Sequence, residues 1–120
     1  MTALPSQSAW FDELFRTIDN AAWKDFARFF HTDIVYERPG YPPIEGIEAL
    51  LDFYSNTRII AEGKHSLDGR LHGDGKAICW GQFSGRSKSG DLLNERFADA
   101  YELEDGVIKR RITYFFRAAI

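Results

Sequence analysis

Apolar residues recur at helical spacing through the first half of the chain and at alternate positions through the second. Trp10, Phe11, Leu14, Phe15 and Ile18 mark one stripe of a helix over residues 8–19, with Ser8 as its expected N-cap. Asp19 and Asn20 break that helix and can cap the next, where Trp23, Phe26, Ala27 and Phe30 fall at i, i+3, i+4 and i+7. A short strand, Ile34 to Arg38, runs into Pro39-Gly40-Tyr41-Pro42-Pro43, a rigid extended connection that cannot be helix. A third helix follows Gly46, with Ile47, Leu50, Leu51 and Tyr54 on one face, and is expected to reach about Arg58. From residue 64 the period becomes two, and His65, Leu67, Gly69 and Leu71 share one face of a strand. Turn sequences at 72–75, 87–91 and 104–106 then separate strands over 77–85, 92–103 and 107–116. Helices followed by a meander predict one α+β domain spanning residues 1–120.

Composition narrows the function. A chain of 120 residues builds one core. It carries 10 Phe, 5 Tyr and 3 Trp, ring surface that must pack that core or line a cavity. The formal net charge of −3 argues against a nucleic-acid or membrane-surface binder, which needs a basic face. The single cysteine, Cys79, allows no internal disulfide and fits a reducing compartment. Met1 to Ser8 lacks a basic stretch followed by an apolar run, and no apolar segment approaches the ~20 residues of a membrane span. The expectation is a cytoplasmic protein that needs no cofactor. His31, His65 and His72 do not fall at metal-ligand spacing; His31 reads as a helix-end residue and His72 as a turn residue.

Four segments carry a resemblance. Ile18-Asp19-Asn20-Ala21-Ala22-Trp23, the run Phe29 to Glu37, Pro42-Pro43-Ile44-Glu45-Gly46 with Phe53-Tyr54, and Asp99 to Ile108 resemble the nuclear-transport-factor-2-like superfamily. Within it they are similar to the branch of ketosteroid isomerases and SnoaL-like polyketide cyclases. The resemblance implies a cone-shaped, curved, mostly antiparallel sheet wrapped on three helices, a cystatin-like α+β barrel. It also implies a deep pocket for a small apolar organic ligand, and a homodimer through the outer sheet face. The implied reactions are cofactor-free: isomerisation, cyclisation, dehydration or epoxide opening. The fold also hosts non-enzymes, so a binding protein that sequesters a hydrophobic metabolite and an association module with only a packed core stand as alternatives.

The strand over 92–103 bears the most chemistry. Strict alternation puts Leu93, Glu95, Phe97, Asp99, Tyr101 and Leu103 on one face, so two carboxylates sit among rings. Asp99 aligns with the family's oxyanion-hole acid. Paired with Arg38 or Arg111 it would be ionised and could act as a base; without a cation it would serve as a neutral donor. The isomerase pattern is otherwise broken. Arg38 stands where the family places its general-base aspartate, and Leu14 where it places its oxyanion tyrosine. The expected catalytic set is Asp99 with His65 or Glu95. Tyr36, Arg38, Tyr54, Trp80, Gln82, Phe97, Tyr101 and Arg111 form the expected substrate-binding set. On the last strand two arguments conflict. Alternation turns Ile108, Ile112, Tyr114 and Phe116 inward, whereas the resemblance turns Arg111, Thr113 and Phe115 inward. Arg111 is expected inside, near Glu95, and Arg110 outside.

Overall fold

The computed structural model describes residues 3–57 and 60–116. Helix α1 (Ala3–Asp19) turns a tight corner into the single-turn α2 (Trp23–Phe26) and a 3-10 turn at Ala27–Phe29. Strand β1 (Phe30–Glu37), the short β2 (Ile44–Glu45) and α3 (Ile47–Asp52) follow, with a widened turn at Phe53–Thr57. Four long strands complete the chain: β3 (Ile60–Gly73), β4 (Lys76–Ser87), β5 (Leu92–Glu104) and β6 (Val107–Phe115). The sheet order is β2-β1-β6-β5-β4-β3, and every pair is antiparallel except β1 with β6. The architecture is the expected α+β cone with three helices. The sheet curves without closing, so β2 and β3 remain its edges and a closed barrel is not formed.

Local boundaries depart from the periodicity in instructive ways. α1 begins at Ala3, so Ser8 lies within the helix rather than at its cap. α2 stops after four residues, and Phe30, expected on its apolar face, opens β1. The segment from Phe30 onward is rich in aromatic and β-branched side chains, which favour a pleated surface next to β6 over more helix. The expected end of the third helix at Arg58 lies outside the described residues. The hairpins at Asp74-Gly75 and Asp105-Gly106 have positive φ at both residues, the turn geometry that matches the strand twist.

Two bulges set which side chains face inward. In β3, Leu67 pairs with Gly81 and Gly69 with Trp80, so Asp68 has no counterpart. The phase flips there. His65 and Leu67 face in, Arg70 opposes the buried Cys79, and Leu71, expected on the inner face, is 65% exposed. His72 is likewise not a turn residue but lies on the strand, against Trp10 and Phe11. In β6, Leu103 pairs with Ile108 and Glu102 with Arg110, which leaves Lys109 extra. Ile108 and Arg111 are therefore both buried, and the conflict on this strand dissolves: alternation holds before the bulge, the family phase after it. Curvature at β3–β4 also requires Gly81, where a Cβ would lie 2.0 Å from the Ser66 carbonyl oxygen.

The core is built by Phe11, Leu14, Phe15 and Ile18 of α1, with Phe26 and Leu50, against Ile34, Cys79, Phe97, Tyr101 and Ile108 of the sheet. Each such side chain contributes about 1.5–3 kcal/mol when fully buried. Trp10, Trp23, Leu51 and Leu103 are only half-buried and flank this core. No helix among the described residues is long and apolar enough to cross a membrane.

Candidate functional site

The inward-facing odd positions of β5 bring Glu95, Phe97, Asp99 and Tyr101 under the helices, and all four are buried. Asp99 is wholly inaccessible and accepts three hydrogen bonds. Its Oδ2 receives Arg111 Nη2 at 2.8 Å and the Tyr101 hydroxyl at 2.9 Å; its Oδ1 receives the Thr113 hydroxyl at 2.6 Å. Thr113 lies directly opposite Asp99 in the β5–β6 register, which makes that bond local to the ladder. Because Thr113 gives its single proton to Asp99, Tyr36, 3.0 Å from Thr113 Oγ1, must be the donor in that contact. Arg111 Nη1 donates to the Tyr54 hydroxyl at 2.8 Å, and its guanidinium lies 4.8 Å from the Tyr36 ring centre. Burial raises the pKa of the Tyr36 phenol; burial and then the Asp99 carboxylate raise that of Tyr101. Both are donors, not phenolates. Of the two cations weighed as partners of Asp99, Arg111 is the one paired with it.

His65 forms a second polar unit. Its Nδ1 is 2.6 Å from Asp19 Oδ1, and its backbone N–H donates to Asp19 Oδ2 at 2.9 Å. α1 ends at Asp19 as expected, but Asp19 does not cap α2, whose N-cap is Ala22; its carboxylate clamps β3, 46 residues away. A carboxylate only accepts, so Nδ1 carries the ring proton and Nε2 keeps its lone pair. Burial lowers the His65 pKa from 6.5, against the opposing pull of Asp19, so the ring is neutral at pH 7 and the contact is a hydrogen bond rather than an ion pair. Rings of Phe15, Phe83 and Phe97, at 4.6, 4.8 and 5.5 Å, hold the imidazole in an apolar wall.

Both units border one cavity of about 190 Å³. His65, Tyr36, Arg38, Tyr54, Glu95 and Phe97 line it as expected, together with Asp99 and Arg111. Tyr101 does not; it lies behind Asp99, packed on Trp10 and Phe11. Trp80 and Gln82 are on the opposite face of the sheet. In β4 the buried set is Ala77, Cys79, Gly81 and Phe83, while Trp80 is 41% exposed over Gly69. Trp80, the largest side chain of that strand, faces outward, so size alone misleads there; the pairing of Phe83 with Glu95 settles the face. Sequence reasoning also missed Phe53 and Tyr41, whose ring centres lie 4.3 and 4.4 Å from the guanidinium carbon of Arg38. Tyr41 and Phe53 lie in a proline-rich connection and a widened turn, where periodicity is silent. Among the described residues no group of His, Cys, Asp and Glu is arranged to hold a metal ion. The buried Cys79 thiol is pushed up to about 12 by burial and is a poor nucleophile.

Known proteins agree with this frame. A candidate SnoaL-like polyketide cyclase from Jannaschia sp. CCS1 superposes with a TM-score of 0.78 at 14% identity, over 92% of this chain and 85% of that one. An NTF2-like protein of unknown function from Burkholderia pseudomallei K96243 gives 0.80 at 14% identity, over 91% and 89%. An epoxide hydrolase of the LEH-like type from M. tuberculosis gives 0.76 at 13% identity, over 88% and 78%. At such identities these similarities speak for the fold. No curated protein sequence matches the chain. The family model described as the SnoaL-like domain matches residues 11–111, and the chain belongs to that family.

Proposed function

We propose that the protein is a cofactor-independent acid/base enzyme in which His65, oriented by Asp19, removes a proton beside a carbonyl of a small ring-containing or polyketide-like substrate. The observation that carries this reading is the Asp19–His65 dyad at 2.6 Å on the wall of the cavity, with Nε2 left as the basic nitrogen. Arg111 is the electrophile. Its Nε–H is buried and unpartnered; Asp99 and Tyr54 accept from the rest of the guanidinium, and Thr113 in turn donates to Asp99. A preorganised donor of that kind stabilises an oxygen that gains charge as the proton leaves. Asp99 acts through Arg111 and is a positioning residue. The chemistry is common to isomerase, cyclase and dehydratase reactions. Cytoplasmic residence and a homodimer through the outer sheet face, where Ile78, Trp80 and Tyr114 are exposed, belong to the same proposal.

The test needs no named substrate. Small cyclic ketones that bind are incubated with the protein in deuterated water, and exchange of their α-protons is followed by NMR. Exchange that His65→Gln abolishes while binding persists supports the reading. A second reading, a ligand-binding protein without turnover, is favoured by the saturation of Asp99, the acid expected to react. Binding without exchange by any bound ketone selects it.

A further inference from the structure

Two guanidinium groups and two carboxyl groups line the cavity, and one guanidinium, that of Arg38, is in no ion pair among the described residues. Of the other titratable groups that border it, Arg111 is paired with Asp99 and His65 is hydrogen-bonded to Asp19. Glu95 is a buried carboxylate in its own contacts. Arg38 has no carboxylate within ion-pair distance among the described residues. Its guanidinium packs instead on the rings of Tyr41 and Phe53. A guanidinium packed on aromatic rings keeps the N–H groups of its edge for hydrogen bonding. On that edge Nε is buried and has no partner. A buried donor with nothing to bond costs about 1–3 kcal/mol, a cost that an incoming acceptor removes. Among the described residues the buried side-chain atoms without partners are Arg38 Nε, Arg111 Nε and His72 Nδ1, and the first two belong to side chains of this one cavity.

We infer that the ligand of this cavity is a ring-sized anion, an aromatic or cyclic acid whose carboxylate is received by the edge of Arg38 and whose second oxygen meets Arg111. The inference rests on the cavity being the ligand site proposed above, not on His65 acting as a base. Size supports a single substituted ring, since an apolar cavity of about 150 Å³ admits benzene and this one measures about 190 Å³. Exposure orients the ligand. Tyr41 beside Arg38 is 49% exposed, whereas Asp99, Arg111 and Glu95 are buried, so Arg38 stands at the entrance and the charged end binds there.

Isothermal titration with 4-hydroxybenzoate and its near-isosteric neutral partner 4-hydroxybenzamide tests this. The protein is expected to bind the acid roughly tenfold or more tightly than the amide, the scale of one charge-assisted bidentate contact. Arg38→Met should erase that preference and leave the amide within about threefold of its original affinity. Arg38→Lys, which keeps the charge but not the fork, should fall between. Thermal melts establish that each variant is folded, and Arg38→Lys decides the matter if Arg38→Met is not. Equal affinity for acid and amide, no binding of the acid at millimolar concentration, or undiminished acid preference in the variants overturns the inference. His65→Gln should retain the acid preference. Lost proton exchange with intact preference therefore counts against neither, whereas absent exchange in the parent protein with intact preference rejects the catalytic reading alone.

Discussion

Asp99→Asn separates a structural counterion from a reacting acid. The substitution keeps the shape of the side chain but removes the charge that faces Arg111, which is 4% exposed beside a fully buried Asp99. Three donors, at 2.6, 2.8 and 2.9 Å, converge on the carboxylate. An amide offers one acceptor oxygen, so its NH2 must abut either Thr113 or the Arg111–Tyr101 pair. Breaking a buried pair at one partner costs about 3–5 kcal/mol, because the remaining charge is left uncompensated. At roughly 4 °C per kcal/mol for a domain of this size, the melting temperature should drop by about 12–20 °C. Circular dichroism melts and urea titrations measure both. The double variant Asp99→Asn/Arg111→Met should regain much of the loss, since no unpaired cation remains, and the cycle should give a coupling of about 2 kcal/mol or more. A single variant that melts within about 2 °C of the parent would refute the counterion assignment and return Asp99 to the reacting groups.

Further expectations follow from the same geometry. The folded-state pKa of His65 lies below 6.5, so between 6.5 and that lower value the unfolded chain binds a proton that the folded chain does not. Stability should therefore fall as pH drops through that window, and urea midpoints taken from about pH 7.5 downward should lose that component in His65→Gln. Gly81→Ala should cost about 1–3 kcal/mol or more, because its Cβ would meet backbone atoms at 2.0 and 2.9 Å that cannot yield; an unchanged urea midpoint would contradict the tight β3–β4 curvature. Trp80→Glu, on the outer face of the sheet, should convert a dimer to monomer in sedimentation without changing the α-proton exchange; a parent protein that sediments as a monomer at micromolar concentration rejects the dimer.

The chain by itself determined the elements and much of the inner face. Helical and two-residue periods, Asp-Gly turns and the prolines after Arg38 are local signals, read from neighbours within a few residues. They yielded the three helices, the meander and the inward phase of β5, hence the burial of Glu95, Phe97 and Asp99. The placement of Arg111, Thr113 and Phe115 followed from family resemblance rather than from period. What only the tertiary structure decided depends on partners distant in sequence. The extra residues Asp68 and Lys109 become bulges only against β4 and β5, and each bulge reverses the face of everything beyond it on its strand. Trp80 faces outward because the β4–β5 register turns Phe83 inward opposite Glu95, and Gly69 of the adjacent strand leaves room for its ring. Asp99 became a counterion because Arg111, Tyr101 and Thr113 converge on it. Asp19, a helix-breaking residue in the sequence, became the clamp of His65 because the sheet curls β3 back onto the end of α1. A hydrogen bond between residues 46 apart leaves no mark in local spacing, since either residue alone suits its own element for ordinary reasons.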